Sequence, residues 1–147
     1  MDRVLSLLGL AKKAGLLEAG EEPVGTAARA RDVRLILLAE DAAENTVRRA
    51  GHFAQAGQCL CASVPATKEE LGRAIGRASC AMLALTDVGF ASAVAEKLAQ
   101  LDPARYGSLS ERLSVKAARA AERKRARQEQ RVRTGKTAVR RKKRRDA

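Results

Sequence analysis

A chain of 147 residues, 46% hydrophobic, holds one domain with an extension and enough apolar side chains for a core. Phe53, Phe90 and Tyr106 are its only aromatic residues, which argues against a base-stacking sheet of the RRM or OB kind and leaves the core to Leu, Ile, Val and Ala. The net charge of +12 is unevenly placed: residues 1–115 carry fourteen basic and fourteen acidic side chains, and residues 116–147 carry fifteen and three.

Asp2 is placed to cap a first helix with Val4, Leu7, Leu8 and Ala11 on one face, and Gly15 to stop it. A second helix is expected to start around Glu21 to Pro23, where proline suits the first turn and carboxylates suit the positive end of the dipole, and to run to about Arg31. Val33 to Ala39, VRLILLA, reads as a strand covered on both faces, as in a parallel sheet. Glu40 and Asp41 follow and are expected to open a third helix that Gly57 ends. A small-residue strand from Cys59 to Val64 comes next.

Thr67-Lys68-Glu69-Glu70 is a capping-box sequence whose helix should end at Gly76, and Ala81 to Leu85 is a third core strand. Phe90, Val94, Leu98 and Leu101 line one face of a last domain helix that Pro103 breaks. The alternation predicts a three-layer α/β/α sandwich with a small mixed sheet. The expected organisation is a domain over residues 1–103, a linker and helix start over 104–115, and a basic tail over 116–147. Ser110 would cap a long helix in this extension, to about Arg133. Its Leu113 and Val115 form too weak a stripe to bury, and the end of the tail should be disordered.

That tail favours a polyanion. Lys116, Arg119, Arg123, Lys124, Arg125, Arg127, Arg131 and Arg133 are candidate phosphate contacts on its helical part. Lys136, Arg140, Arg141, Lys142, Lys143, Arg144 and Arg145 are the candidates beyond it. Such a tail binds nucleic acid without reading sequence. A solubilising tail or an electrostatic anchor to an acidic partner is the plainer reading, and the Trp, Phe and Leu face of a membrane helix is missing.

Other features point away from catalysis. Glu40 and Asp41, at the end of a strand, suit Mg²⁺ or a helix cap, and the cap is the expectation. Strand alternation is expected to make the Cys59 and Cys61 thiols diverge; with Cys80 distant and His52 the sole histidine, no metal set forms and the thiols read as structural. Gly135-Lys136-Thr137 lacks the upstream glycine and strand of a phosphate loop. An odd cysteine count, no secretory signal and no apolar run of membrane-spanning length make the cytoplasm the expected location. No cofactor is expected.

Three segments, LSLLGLAKKAGLLEAG, GEEPVGTAARARDVRLILLAED and TKEELGRAIG, resemble the ribosomal-protein superfamily that binds kink-turn RNA, the L-seven-Ae-like proteins, and more closely its bacterial YlxQ-type members. The resemblance covers about residues 3–100. It implies an α/β/α sandwich with an RNA face made by the start of the second helix and the loop after the ELG helix. Here these map to Gly20, Glu21, Glu22, Pro23 and Thr26, and to Ile75, Gly76, Arg77, Ala78 and Ser79. A helix N-terminus offers free N–H groups to phosphate, and an apolar loop beside it packs against an extruded nucleotide. Strong kink-turn binders of the family carry Asn-Glu and then Lys three residues after the Glu, where this chain has Glu22, Pro23 and Thr26. Arg29, Lys68, Arg73 and Arg77 are further candidate phosphate contacts.

The resulting expectation is a monomeric, non-enzymatic RNA-binding accessory of translation, with structured RNA, ribosomal or kink-turn-like, as its partner. Contacts to the ribosome or to translation proteins belong to the same expectation, and no membrane partner is expected. The alternative is a protein-binding adaptor whose tail alone touches nucleic acid; the departures at Pro23 and Thr26 favour it.

Overall fold

The computed structural model of the chain describes residues 1–146, with side chains through Gly135. Six helices and four strands alternate along it. They are α1 Asp2–Lys13, β1 Leu17–Ala19, α2 Glu21–Arg29, β2 Leu35–Leu38, α3 Glu44–Gly57, β3 Leu60–Ser63, α4 Lys68–Ala74, β4 Met82–Leu85, α5 Val88–Leu101 and α6 Pro103–Asp146. The strand order is β1-β4-β2-β3. β2 runs parallel to β3, and β4 runs antiparallel to both β1 and β2, so the sheet is mixed.

The period-two alternation of the strands sorts side chains into two cores. Leu35, Leu37, Leu83 and Leu85 turn to the side where Leu8 of α1, Leu71 of α4 and Val94 of α5 lie. Ile36, Leu38, Met82 and Ala84 turn to Val24 and Ala28 of α2 and Ala50 of α3. Both faces of the central strands are therefore dry, which is why β2 and β4 are aliphatic throughout. The expected three-layer sandwich with a mixed sheet is the observed fold.

Five local expectations change, the first at Asp2, which is the first residue of α1 and leaves Met1 as the N-cap with no side-chain cap bond. The short β1, invisible as a pattern because only Leu17 and Ala19 face the core, adds an edge strand on β4. Asp41 does not open α3, whose N-cap is Ala43; its Oδ1 accepts from the Lys68 N–H at 2.8 Å and so caps α4, alongside the Thr67 and Glu70 capping box. Cys59 and Cys61 do not diverge, because positions two apart on a strand share a face. Both pack on the α2–α3 side, where burial pushes the Cys61 thiol up to about 11.

The largest change concerns α6. Pro103 does end α5 at Leu101, because Asp102 before it is forced out of the helical region, at φ −145° and ψ 86°, but it is also the first residue of α6, which Asp102 caps by accepting from the Arg105 N–H at 3.2 Å. Tyr106 is buried, and its hydroxyl donates to the Ser63 carbonyl at 2.6 Å. Leu113, expected to stay out of the core, is 0% exposed, with Leu109 packed beside it. The first turns of α6 thus complete the sandwich, and every described side chain from residue 121 to 135 is exposed.

Candidate nucleic-acid interface

The start of α2 is fixed from three sides. Gly20, its N-cap, has φ 96°, a conformation that costs glycine little, and donates its N–H to Met82 O at 2.9 Å. Glu21 reaches across to α3, where Thr46 Oγ1 donates to Oε1 at 2.8 Å and Arg49 donates to Oε2 at 2.5 Å. The hydrogen bonds from Arg49 and then Thr46 hold the Glu21 carboxyl below its ordinary range. Glu21 is therefore committed to joining two helices. Glu22 and Pro23 are exposed. Thr26 Oγ1 donates to the Glu22 carbonyl at 3.1 Å, turning its hydroxyl back into its own helix.

The segment after α4 meets this start. Arg77 is the link: its Nη1 donates to Ala19 O at 3.4 Å and lies 3.8 Å from where a Cβ on Gly20 would stand. Its N–H donates to Gly72 O at 2.7 Å, folding the loop back on α4. Gly72 is needed there, because a Cβ would lie 2.7 Å from both the N and Cα of Ser79. Gly76, Arg77, Ala78 and Ser79 are exposed, whereas the Ile75 side chain is 6% exposed and packs in the core below them. The two segments that sequence placed at one face are thus adjacent, with Glu22, Pro23 and Arg77 among their exposed residues.

The other candidates lie elsewhere. Arg29 is in the last turn of α2, about 12 Å along the helix from Glu21 at 1.5 Å per residue. Arg73 borders a groove against α1 with Glu70, Leu5 and Gly9. Lys68, half-buried, begins α4 where Asp41 caps it. On α6, Lys116, Arg119 and Arg123 line a groove with the domain, and Lys124, Arg125, Arg127, Arg131 and Arg133 are exposed beyond or beside it. The side chains of Lys136, Arg140, Arg141, Lys142, Lys143, Arg144 and Arg145 lie outside the described residues.

Among the described residues no group of three or more His, Cys, Asp or Glu side chains is placed to hold a metal ion, and no helix is long and apolar enough to cross a membrane. Sequence reasoning missed Arg49 and Thr46, whose tie to Glu21 spans 28 and 25 residues of chain and leaves no local pattern. It also missed Arg34, which joins Lys116, Arg119 and Arg123 in the α6 groove.

No family model matches the chain. The RNA-binding protein YlxQ of Bacillus subtilis (strain 168) is 38% identical to it over 90 residues, spanning 58% of this chain and 85% of the relative. The chain belongs to the YlxQ family. A solved structure of a protein with unknown function from Bacillus halodurans C is similar as well, at 34% identity and TM-score 0.60, covering 65% of this chain and 95% of that one. A third or more of the present chain lies outside each match, whereas most of each relative is covered. The Gly20–Arg77 junction is a place where two segments distant in sequence converge beside a helix N-terminus.

Proposed function

We propose that this protein is a non-enzymatic RNA-binding accessory of translation that docks structured RNA, ribosomal or kink-turn-like, on the face made by the start of α2 and the loop at residues 75–79. The observation that carries the reading is the Gly20–Arg77 junction, which joins those two segments into one surface. The name of the Bacillus subtilis relative, an RNA-binding protein, supports the substrate class. On this face Arg77 supplies a fixed cation for a phosphate, the exposed Glu22 carboxylate accepts from base-edge amino groups, and Pro23 and Ala78 offer apolar contact to an extruded base. Ile75 supports the loop from beneath. The basic part of α6 adds phosphate affinity, and tethering makes the two contributions reinforce each other.

The test is the full chain against its Arg77→Glu variant, with a structured RNA at salt high enough to screen α6. We expect the charge reversal to weaken binding by about tenfold, ~1.4 kcal/mol. Unchanged affinity would remove the face from the reading.

One observation favours a second reading, an adaptor whose sandwich binds protein. Glu21 and Thr26, two of the side chains nearest the α2 start, are bonded within the protein and present little to RNA. Affinity capture after nuclease treatment separates the two: partners that survive support the adaptor, and partners that vanish support RNA docking.

A further inference from the structure

The groove where α6 leaves the sandwich lies at the other end of the sheet from the Gly20–Arg77 face. Gly20 bonds to Met82 at the start of β4, whereas the Arg34 N–H donates to Leu85 O at its end, at 2.8 Å. The groove encloses about 350 Å³ and is lined by Arg34 and Cys59 from the domain and by Lys116, Arg119, Ala120 and Arg123 from α6. Among the described residues none of these four cations has a carboxylate partner. Arg34 and Arg123 spend one N–H each on the backbone carbonyls of Arg31 and Arg119. Burial raises the Cys59 thiol's pKa, and Lys116 and Arg34 pull it back, as expected of cations gathered at one spot.

The charge on α6 is also ordered. At 3.6 residues per turn, Lys116, Arg119, Arg123, Arg127 and Arg131 fall within about 60° of one line, on the side that carries Leu113 and Ala120 while the helix is still packed. Glu111, Glu122 and Glu129 gather on a second line about 130° away. The basic ridge therefore emerges from the groove facing the prolongation of the domain, with its acidic residues turned aside. Five cations spread along about 22 Å of helix suit a polyanionic strand and not a single phosphate group.

We propose that this groove and the ridge leaving it form a second RNA site, one that holds a phosphate backbone in the angle between α6 and the underside of the sandwich. It rests on the reading that the protein binds RNA, but not on which RNA the α2 face reads. No aromatic side chain lines the groove, so it grips backbone and leaves bases unread. With the α2 face at the far end of the sheet, one molecule then engages two segments of a folded RNA.

The experiment compares charge-matched variants of the full chain on one RNA duplex across a salt series. Arg34→Gln with Arg119→Gln should weaken binding by about tenfold near 0.1 M salt and lower the salt slope by about 2, one unit for each phosphate no longer neutralised. Lys124→Gln with Arg125→Gln removes the same amount of charge, from α6 off the ridge, and should stay within about twofold of the parent. Arg34→Lys keeps the charge and should keep the slope. Equal losses from the two double variants would overturn the site, because α6 would then act through charge count alone. Tighter binding of the parent to phosphatidylserine vesicles than to the duplex would overturn the assignment to RNA. Arg77→Glu reports on the opposite face, so its failure is read separately.

Discussion

Glu21 illustrates how a single residue is diverted from a surface role to a structural one. Its carboxylate joins α2 to α3 through Thr46 and Arg49, with Glu21 33% and Arg49 63% exposed, so the pair is well hydrated and worth well under ~1 kcal/mol. A carboxylate whose folded pKa is depressed adds stability above its unfolded value of 4.5 and loses it as pH falls through the folded value. Arg49→Ala should therefore lower the melting temperature slightly at neutral pH, with the gap to the parent closing as pH drops below 4.5. Thermal melts of the two proteins across an acid series check this. Gly72 is the stricter case. The Cβ of Gly72→Ala would meet backbone atoms of Ser79 and Arg77, which cannot swing aside as a side-chain tip can. The substitution should cost about 1–3 kcal/mol in urea melts and displace the 77–79 loop, weakening RNA binding with it. A neutral outcome in both would contradict the close approach. Neither residue's role was legible in sequence. The carboxylate's partners are 25 and 28 positions away, and a helical glycine carries no mark of what lies against it.

Among the elements, the capping signals tell which parts of the fold sequence reveals. Thr67-x-x-Glu70 marked the start of α4 because both halves of the box lie within four residues, and Thr67→Ala should cost about 1 kcal/mol by denaturant titration. The aliphatic strands β2 and β4 were equally plain, since burial on both faces leaves no room for polar residues. β1 was not, because three residues with one exposed make no period. α6 escaped for a different reason. Pro103 reads correctly as the stop of α5, but Asp102-Pro103 is also a cap followed by a first-turn proline, and one residue pair that ends a helix hides the start of the next. The apolar side chains that anchor it, Tyr106, Leu109 and Leu113, are diluted by charge. Leu113→Ala should cost about 2–5 kcal/mol, and cutting the chain after Tyr106 should destabilise the sandwich as well as remove the tail. Equal melting temperatures for Leu113→Ala and the parent would show that α6 is an appendage.

The whole molecule combines a neutral sandwich with a helix that starts inside the core and ends as a basic projection. The separation of charge was visible from where the basic residues fall, and the sandwich from the alternation of helices and strands; the two-ended arrangement was not, because it depends on α6 running from Ser63 at one end of β3 to Cys59 at the other. That path places the α2–α4 face and the α6 groove at opposite ends of the sheet. The α2–α4 face is where structured RNA would be read. The measurement that tests it most directly is binding of the full chain to a kink-turn duplex and to the same duplex with its sheared G·A pairs replaced by Watson–Crick pairs, at salt that screens α6. The account predicts a preference of about tenfold, ~1.4 kcal/mol, for the kink-turn, read by Glu22 and Arg77 despite Pro23. Equal binding to the two duplexes would contradict it and leave the basic helix as the route to nucleic acid.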